Sequence, residues 1–489
     1  MSEKRGKEKG KLNDGFYKII TVILIVAIGV SLLLMGYNLV VNQINFPAAT
    51  VGDEEISVQE MEFHYNVAYN NYVQTYGDYI QYFFDQSQPL RSQEYDDGMS
   101  WRDYFADLAA ESAQNTAMLA AEAQKAGFTL DADAEEEIAE LIADLEAAAA
   151  EYGVSTEQYL RAVYTDNRMT MADYEQALRR YILGNKYAQH VYSGLQYTDA
   201  EAETHYAENR AEFDLVTYRS FYFDGSVPAG ETEATEEQTA AAMAAARSKA
   251  EAMLGAIQDE QSFDELAYAN TPDPTDGTEK TVDTLSEGTA KSSVPAALTD
   301  WLFDTSRKAG NRDMVEASTG YYVVFFKDRY REEYNTVSAR HILIEAEISE
   351  GAESATDEQK EAARAEAERI LAEWKGGTAT EETFATLAET YSTDGGSNTN
   401  GGLYENIAQG RMVEAFDAWI FDEDRQAGDT DIVETDFGYH IMYFSGEGEP
   451  YWKVQAKTAM ADSDYETFRT EKLEAYPVGK HSIGMGRVG

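Results

Sequence analysis

Val337-Ser-Ala-Arg-His341 repeats Val216-Thr-Tyr-Arg-Ser220 at an offset of 121 residues, and that correspondence decides the architecture of the C-terminal half. Working outward at the same offset, Thr356-Asp-Glu-Gln359 answers to Thr235-Glu-Glu-Gln238, and Phe384-Ala-Thr-Leu-Ala388 to Phe263-Asp-Glu-Leu-Ala267. The offset then falls to 118, where Trp419-Ile-Phe-Asp422 matches Trp301-Leu-Phe-Asp304 and Gly438-Tyr-His440 matches Gly320-Tyr-Tyr322. Between 297–326 and 415–444, 13 of 30 positions are identical. Such a period means two copies of one unit, each of about 110 residues.

Each copy reads as strand, long helix, short helix, loop, short helix, strand. In the second copy the first strand is expected over 338–345. The long helix is expected over 357–375, opened by a Thr cap and stopped by Gly376-Gly377. Aromatic and branched residues over 438–444 read as the last strand. The fold class is therefore α+β for both copies.

Upstream, Val51-Gly-Asp-Glu-Glu-Ile-Ser57 reads as a short strand and turn, followed by helical pattern over 101–126, 132–152, 155–164, 170–193 and 199–210. Tyr65, Tyr69, Tyr72, Tyr76, Tyr79 and Phe83 recur at alternating spacings of 4 and 3, which puts all six on one helix face. That stripe is either buried packing or an aromatic surface that holds unfolded chains. Gly77 interrupts it and weakens the helix by about 1 kcal/mol relative to Ala.

The net charge of −50 repels phosphate backbones and excludes nucleic acid as a partner. With no cysteine, disulfides, thiol catalysis and zinc–thiolate sites are excluded. The charge is unevenly placed. Residues 1–18 carry a local +3, residues 19–41 carry no charge, and the remainder carries −53. The uncharged run is 23 residues long, enough to cross a hydrocarbon core of about 30 Å as a helix. It is too long for the apolar region of a cleaved signal peptide, about 7–15 residues. The basic tail puts the N-terminus in the cytoplasm and the acidic body outside the cell membrane, as a single-pass anchor.

The second copy holds chemistry that the first lacks. His341 and His440 lie on its first and last strands, where the first copy has Ser220 and Tyr322. Met412 and Phe416 replace Val294 and Leu298, enlarging the apolar lining, and the loop after Tyr391 carries Asp394. One histidine is usually structural, but two that depart together on neighbouring strands point to a site. The segment from Asp394 to Glu405 has the acidic ends of a calcium loop, but Gly396 and Thr399 break its ligand and turn positions. No metal or cofactor is expected.

Five stretches then match a family in order: Ala339-Arg-His-Ile-Leu-Ile344, the run from Phe384 to Asp394, Gly396-Ser397 with Gly401-Gly402, Gly410-Arg-Met-Val-Glu-Ala-Phe416, and Phe437-Gly-Tyr-His-Ile441. The second copy resembles the parvulin-type peptidyl-prolyl isomerases, of FKBP-like α+β fold. The anchor, the helical segment and the tandem order are similar to the PrsA/SurA class of extracytoplasmic foldases. The resemblance implies a basic cytoplasmic tail (1–18), a transmembrane helix (19–41) and a helical chaperone domain (42–212). It implies a degenerate parvulin-like unit (213–331), an isomerase domain (332–447) and a C-terminal helix and tail (448–489). His341, Asp394 and His440 match the family's catalytic positions. Tyr404, Ile407, Met412, Phe416, Thr435 and Phe437 match substrate-binding positions. The family's usual Gly-Gly-Asp-Leu-Gly reads Gly401-Gly-Leu-Tyr-Glu405 here, which alters the pocket wall. The loop Glu345-Ala-Glu-Ile-Ser-Glu350 is acidic, which argues against phosphorylated substrates.

The implied function is isomerisation of X–Pro bonds in unfolded secreted or envelope proteins, with a homodimer compatible with the sequence. The rival is a non-catalytic holdase. A third reading is a scaffold for envelope assembly.

Overall fold

The computed structural model describes residues 46–164, 168–227, 234–275, 278–346, 348 and 354–489. The basic tail and the apolar run 19–41 lie outside them, as does part of the 345–350 loop. Among the described residues, no helix is long and apolar enough to cross a membrane. The chain divides into two units, one of residues up to Leu195 together with Asp462–Gly489, the other Gln196–Ala461.

The first unit is helical. A hairpin of strands Ala49–Val51 and Glu54–Ile56 is completed by Val478–Lys480, which pairs antiparallel with Ala49–Val51. The tail thus has a structural role that its sequence does not announce: Met485 and Val488 are buried beside Ala49, Met61 and Phe105. Helix Trp101–Ala126 presents Ala106, Ala109, Ala110, Ala113 and Ala117 to this core, small residues that let neighbouring helices approach closely. Helices Ala132–Glu151, Thr156–Val163 and Met171–Ser193 close on Phe63, Ile138, Leu160 and Ile182.

The aromatic stripe departs from expectation. Helix Val58–Tyr76 ends at Gly77, whose φ of 47° leaves the helical region, and a tighter turn Gly77–Tyr82 follows. Tyr65 is buried and Tyr69 and Tyr72 are half-buried, whereas Tyr79 is 70% exposed. The six rings do not share one helix face.

Helix Asp199–Glu208 belongs to the second unit rather than to the helical one, because Tyr206 packs with Phe213 and Trp452 and donates a buried 2.7 Å hydrogen bond to Asp214. Helix Tyr451–Ala475 accordingly contributes Trp452 and Ala456 to the second unit and Phe468 and Leu473 to the first.

The second unit holds two four-stranded antiparallel sheets. One runs in the order Leu285–Ala290, Leu215–Asp224, Gly320–Tyr330, Arg312–Ala317; the other runs Leu403–Ile407, Asn335–Ile344, Gly438–Pro450, Thr430–Thr435. The register repeats residue for residue: Ser220 pairs with Val324 as His341 pairs with Met442. Side-chain bonds repeat too. Arg219 bonds Glu260 and Arg340 bonds Glu381, while Arg307 and Arg425 each lie 3.9 Å over the ring of their own Trp301 or Trp419.

In each sheet the two central strands agree with the sequence pattern. The two outer strands do not announce themselves, being short and, in Leu403–Ile407, interrupted by a bulge with Asn406 at φ 52°. Helices Asp357–Gly376 and Glu381–Tyr391 cover one face of the second sheet, where Ile342, Ile370 and Phe384 are fully buried. Each such side chain contributes about 1.5–3 kcal/mol. Side chains alternate across a strand, so Val337, Ala339, His341 and Leu343 point to the opposite face, with His440, Met442 and Phe444 beside them.

Candidate active site

His341 and His440 occupy the two central strands, diagonal to one another, since His341 pairs with Met442 and His440 with Leu343. Diagonal neighbours on one face are within reach of large side chains. The rings stack at 5.1 Å with Nδ1 to Nδ1 at 2.9 Å. Both histidines are buried, at 4% and 5% exposure. Phe416 meets both rings edge-on, at 5.4 and 5.6 Å.

The polar contacts fix the direction of every hydrogen. Burial pulls His440 down to about 4, helped by the neighbouring His341, against the opposing pull of Asp394. Burial likewise holds His341 below its ordinary value although Asp394 opposes it. Both rings are therefore neutral at pH 7, with one donor and one acceptor each. His341 Nε2 lies 2.9 Å from Asp394 Oδ2. A carboxylate only accepts, so His341 donates there and its Nδ1 accepts from His440 Nδ1. His440 Nε2 is then an acceptor, satisfied by the Thr435 hydroxyl at 2.8 Å. Thr435 in turn accepts the Phe437 N–H at 3.2 Å. One directed chain runs from Phe437 to Asp394.

At its end, Asp394 Oδ2 also accepts from Ser397 at 2.5 Å and from the Tyr404 hydroxyl at 3.0 Å. Burial alone would raise the Asp394 carboxyl, but bonds from Ser397, His341 and Tyr404 hold it below its ordinary value. The loop that carries these groups lies against the strand backbone. The His341 N–H donates to Gly402 O at 2.9 Å, and a Cβ on Gly402 would stand 2.1 Å from His341 O.

Below the histidines, Met412, Phe416, Ile407 and Met442 share one apolar cluster with Trp419 and Ile420. Ile407 is buried in the same cluster as Phe416. Tyr404 is a wall, tilted 5.5 Å from the His341 ring. Phe437 is 60% exposed, so its ring stands at the rim and only its backbone joins the chain. Ser397 is the residue that sequence reasoning passed over; it is fully buried and bonds both Asp394 and His341. Its only sequence signal is its place in the Gly396-Ser397 match. Thr435, Phe437 and Val413 also wall an open groove of about 960 Å³. Among its described lining residues Lys360 is the only cation, against Glu345, Glu414, Glu434 and Asp436.

In the first sheet the same positions hold Ser220 and Tyr322, with Tyr222 tilted 4.7 Å from Tyr322. The counterpart of Asp394 is Asp273, which is turned outward toward Lys280 at 3.5 Å.

The stretch that carries the four-stranded sheet, the buried histidine pair and the apolar floor, residues 327–446, matches the family described as a PPIC-type PPIase domain, the parvulin class. Residues 11–188 match the SurA-like N-terminal domain. Among individual relatives, the foldase protein PrsA of Exiguobacterium sibiricum is 33% identical over 117 residues, 24% of this chain and 31% of that protein. The chaperone SurA of Chromohalobacter salexigens is 27% identical over 306 residues, 60% of this chain and 63% of that one. The crystal structure of PrsA from Bacillus subtilis superposes with a TM-score of 0.30 at 14% identity, covering 77% of this chain and 86% of that one. The chain thus spans under a third of the PrsA relative's length and under two thirds of SurA's.

Proposed function

We propose that the chain is a foldase: residues 332–447 isomerise X–Pro bonds, and the helical unit holds the unfolded secreted or envelope chains that contain them. The observation that carries this reading is the directed chain Thr435–His440–His341–Asp394 above the Met412 and Phe416 floor.

Rotation about a peptide bond faces a barrier of about 18–20 kcal/mol because resonance must be lost. For X–Pro this makes isomerisation take tens to hundreds of seconds, slow enough to limit folding. No bond breaks, so no nucleophile is needed. The twisted imide is less polar than the planar one. A pocket with an apolar floor and uncharged imidazoles favours the twisted form over either ground state. All four ring nitrogens of His341 and His440 are engaged within the chain of bonds, so the rings keep one orientation and stay uncharged as the imide turns. Asp394 anchors the chain as its final acceptor, and Ser397 and Tyr404 keep it ionised. The acidic groove beside Thr435 and Phe437 disfavours phosphorylated residues next to the proline.

The anchor belongs to the same proposal: residues 19–41 would tether the chain, with the acidic body outside the cell membrane. The first sheet, with Ser220 and Tyr322 where the histidines would stand, is a degenerate copy that contributes structure rather than catalysis.

One observation favours the holdase reading. Tyr404 stands where the family has leucine, and its hydroxyl is bonded to Asp394 at 3.0 Å, which changes the pocket wall. The discriminating experiment measures cis–trans exchange of a proline peptide by the full chain. Wild type should accelerate exchange, and His341→Ala/His440→Ala should lose most of that acceleration. Equal inactivity of both would remove the isomerase reading and leave the non-catalytic ones.

A further inference from the structure

We infer that the aromatic surface between Tyr72 and Tyr104 is a docking site for unfolded segments that combine aromatic with basic side chains. This rests on the chaperone half of the proposed function and deepens it.

The break at Gly77 is the origin of the surface. It turns the residues that follow it outward, leaving Tyr79, Tyr82 and Phe83 at 70, 78 and 41% exposure beside Tyr76, at 37%, on the last turn of the helix. Tyr95 and Met99 of the following hairpin add 41 and 38%. Scattered exposed rings need no explanation, but a contiguous set does. Tyr76, Phe83 and Tyr95 are contiguous through Tyr72 and Tyr104: Tyr76 lies 4.5 Å from Tyr72 and 4.6 Å from Phe83, Tyr72 lies 6.2 Å from Tyr104, and Tyr95 stacks on Tyr104 at 4.1 Å, while Tyr79 and Tyr82 pair with each other at 6.3 Å just beyond the Gly77 break. Tyr72, Tyr76 and Tyr104 also line a groove of about 460 Å³ between the helices, floored by Val67, Ala68 and Leu108.

The surface is pre-organised. The Gln93 side chain staples the loop, donating to Asp85 O and Gln88 O at 2.9 and 3.2 Å and accepting the Asp85 N–H at 2.7 Å. Ser87 closes the turn through its N–H and hydroxyl on Asp85 Oδ1. Rings held this way lose little freedom when a chain lands on them.

Charge selects the occupant. Residues 76–104 contain six carboxylates and two arginines. Both arginines are turned into the C-terminal tail: Arg91 donates to Gly489 O, and Arg102 to Val488 O and Met485 O as well as to Asp103. Asp85, Glu94, Asp96 and Asp97 remain exposed around the rings. Anionic lipid is repelled by such a rim, and so is a second copy of a chain with net charge −50. A segment with Arg or Lys among aromatic residues gains ring contacts, cation–π contacts and favourable charge together.

The test uses the full chain in neutral phosphatidylcholine nanodiscs and three labelled, unstructured, proline-free peptides: aromatic–basic, aromatic–acidic, and basic without aromatics. The aromatic–basic peptide should bind at least about tenfold tighter than either control. Tyr79→Ser/Tyr82→Ser, at two of the most exposed rings, should weaken it about fivefold or more while proline-peptide exchange stays at the wild-type rate. Equal binding of the aromatic–basic and aromatic–acidic peptides overturns the inference, as does unchanged binding by the double variant. So would binding of the surface to anionic phosphatidylglycerol vesicles in place of peptide, or a dimer that the double variant dissolves. The two levels separate cleanly. If wild type fails to suppress aggregation of an unfolded client, the chaperone reading falls. If it suppresses aggregation and Tyr79→Ser/Tyr82→Ser does so equally, only the docking site falls.

Discussion

Mild acid should loosen the parvulin domain, chiefly through His440. The folded-state value is about 4 against 6.5 for the free side chain, with burial as the main cause. Between those two values the unfolded chain binds the proton and the folded domain does not, so stability falls as pH falls through that window. The loss is about 2 kcal/mol at pH 5 and levels off near 3 kcal/mol below pH 4. His341 is lowered in the same sense and adds to it. Asp394, also lowered, loses its contribution only at still lower pH. His64 in the helical unit is depressed to about 3 by burial, so acid weakens that unit too and a global melt would mix the two. Hydrogen exchange of peptides from Asn335–Ile344 and Gly438–Pro450, corrected for intrinsic rates, isolates the domain. Between pH 7 and pH 5, wild type should lose about 2 kcal/mol of local protection more than His440→Gln, which has no proton to take up. Equal losses in the two proteins would refute the assignment of a buried neutral imidazole.

Three further outcomes follow from the same geometry. Thr435→Val keeps the side-chain shape but leaves His440 Nε2 a buried acceptor without a donor. It should cost about 1–3 kcal/mol in denaturation of the domain and slow proline-peptide exchange, with Thr435→Ser restoring both. Gly402→Ala puts a Cβ 2.1 Å from His341 O at φ +71°, whereas Gly410→Ala at φ +74° meets nothing within 4 Å. The second should cost about 1–2 kcal/mol and the first several times that, measured by urea unfolding of both variants. Val488→Asp places a carboxylate at a fully buried core position of the helical unit. It should lower that unit's melting transition by many degrees, read by exchange of peptides from Trp101–Ala126, while the parvulin domain's exchange is unchanged.

Much of this architecture is legible in the residues because local signals agree with the global fold. Thr235, Thr356 and Thr198 open helices through capping boxes that the sequence spells out, and all three form. The repeat exposes the site by contrast, since a histidine pair is conspicuous only where a sister copy has Ser220 and Tyr322. What stays hidden depends on distant partners. Ser397 looks like a loop serine until the fold brings His341 and Asp394 to it. Strands Leu403–Ile407 and Thr430–Thr435 are short edges whose identity comes from the strands they pair with. The tyrosine stripe has ideal helical spacing, and a single residue, Gly77, overrides it.

The pairing of Ala49 with Lys480 joins positions 431 apart in sequence. Each sheet of the second unit is closed by strands within about 120 residues, so both can form while the chain is still being extruded. The helical unit cannot. Its sheet lacks a strand, and Met61 and Phe105 lack Met485 and Val488, until residues 478–488 arrive. Until then Arg91 lacks its bond to Gly489 O, and Arg102 lacks its bonds to Val488 O and Met485 O and keeps only Asp103. Synthesis thus imposes an order: the two sheets of the second unit can mature first, and the core behind the exposed tyrosines is completed only when residues 478–488 reach it.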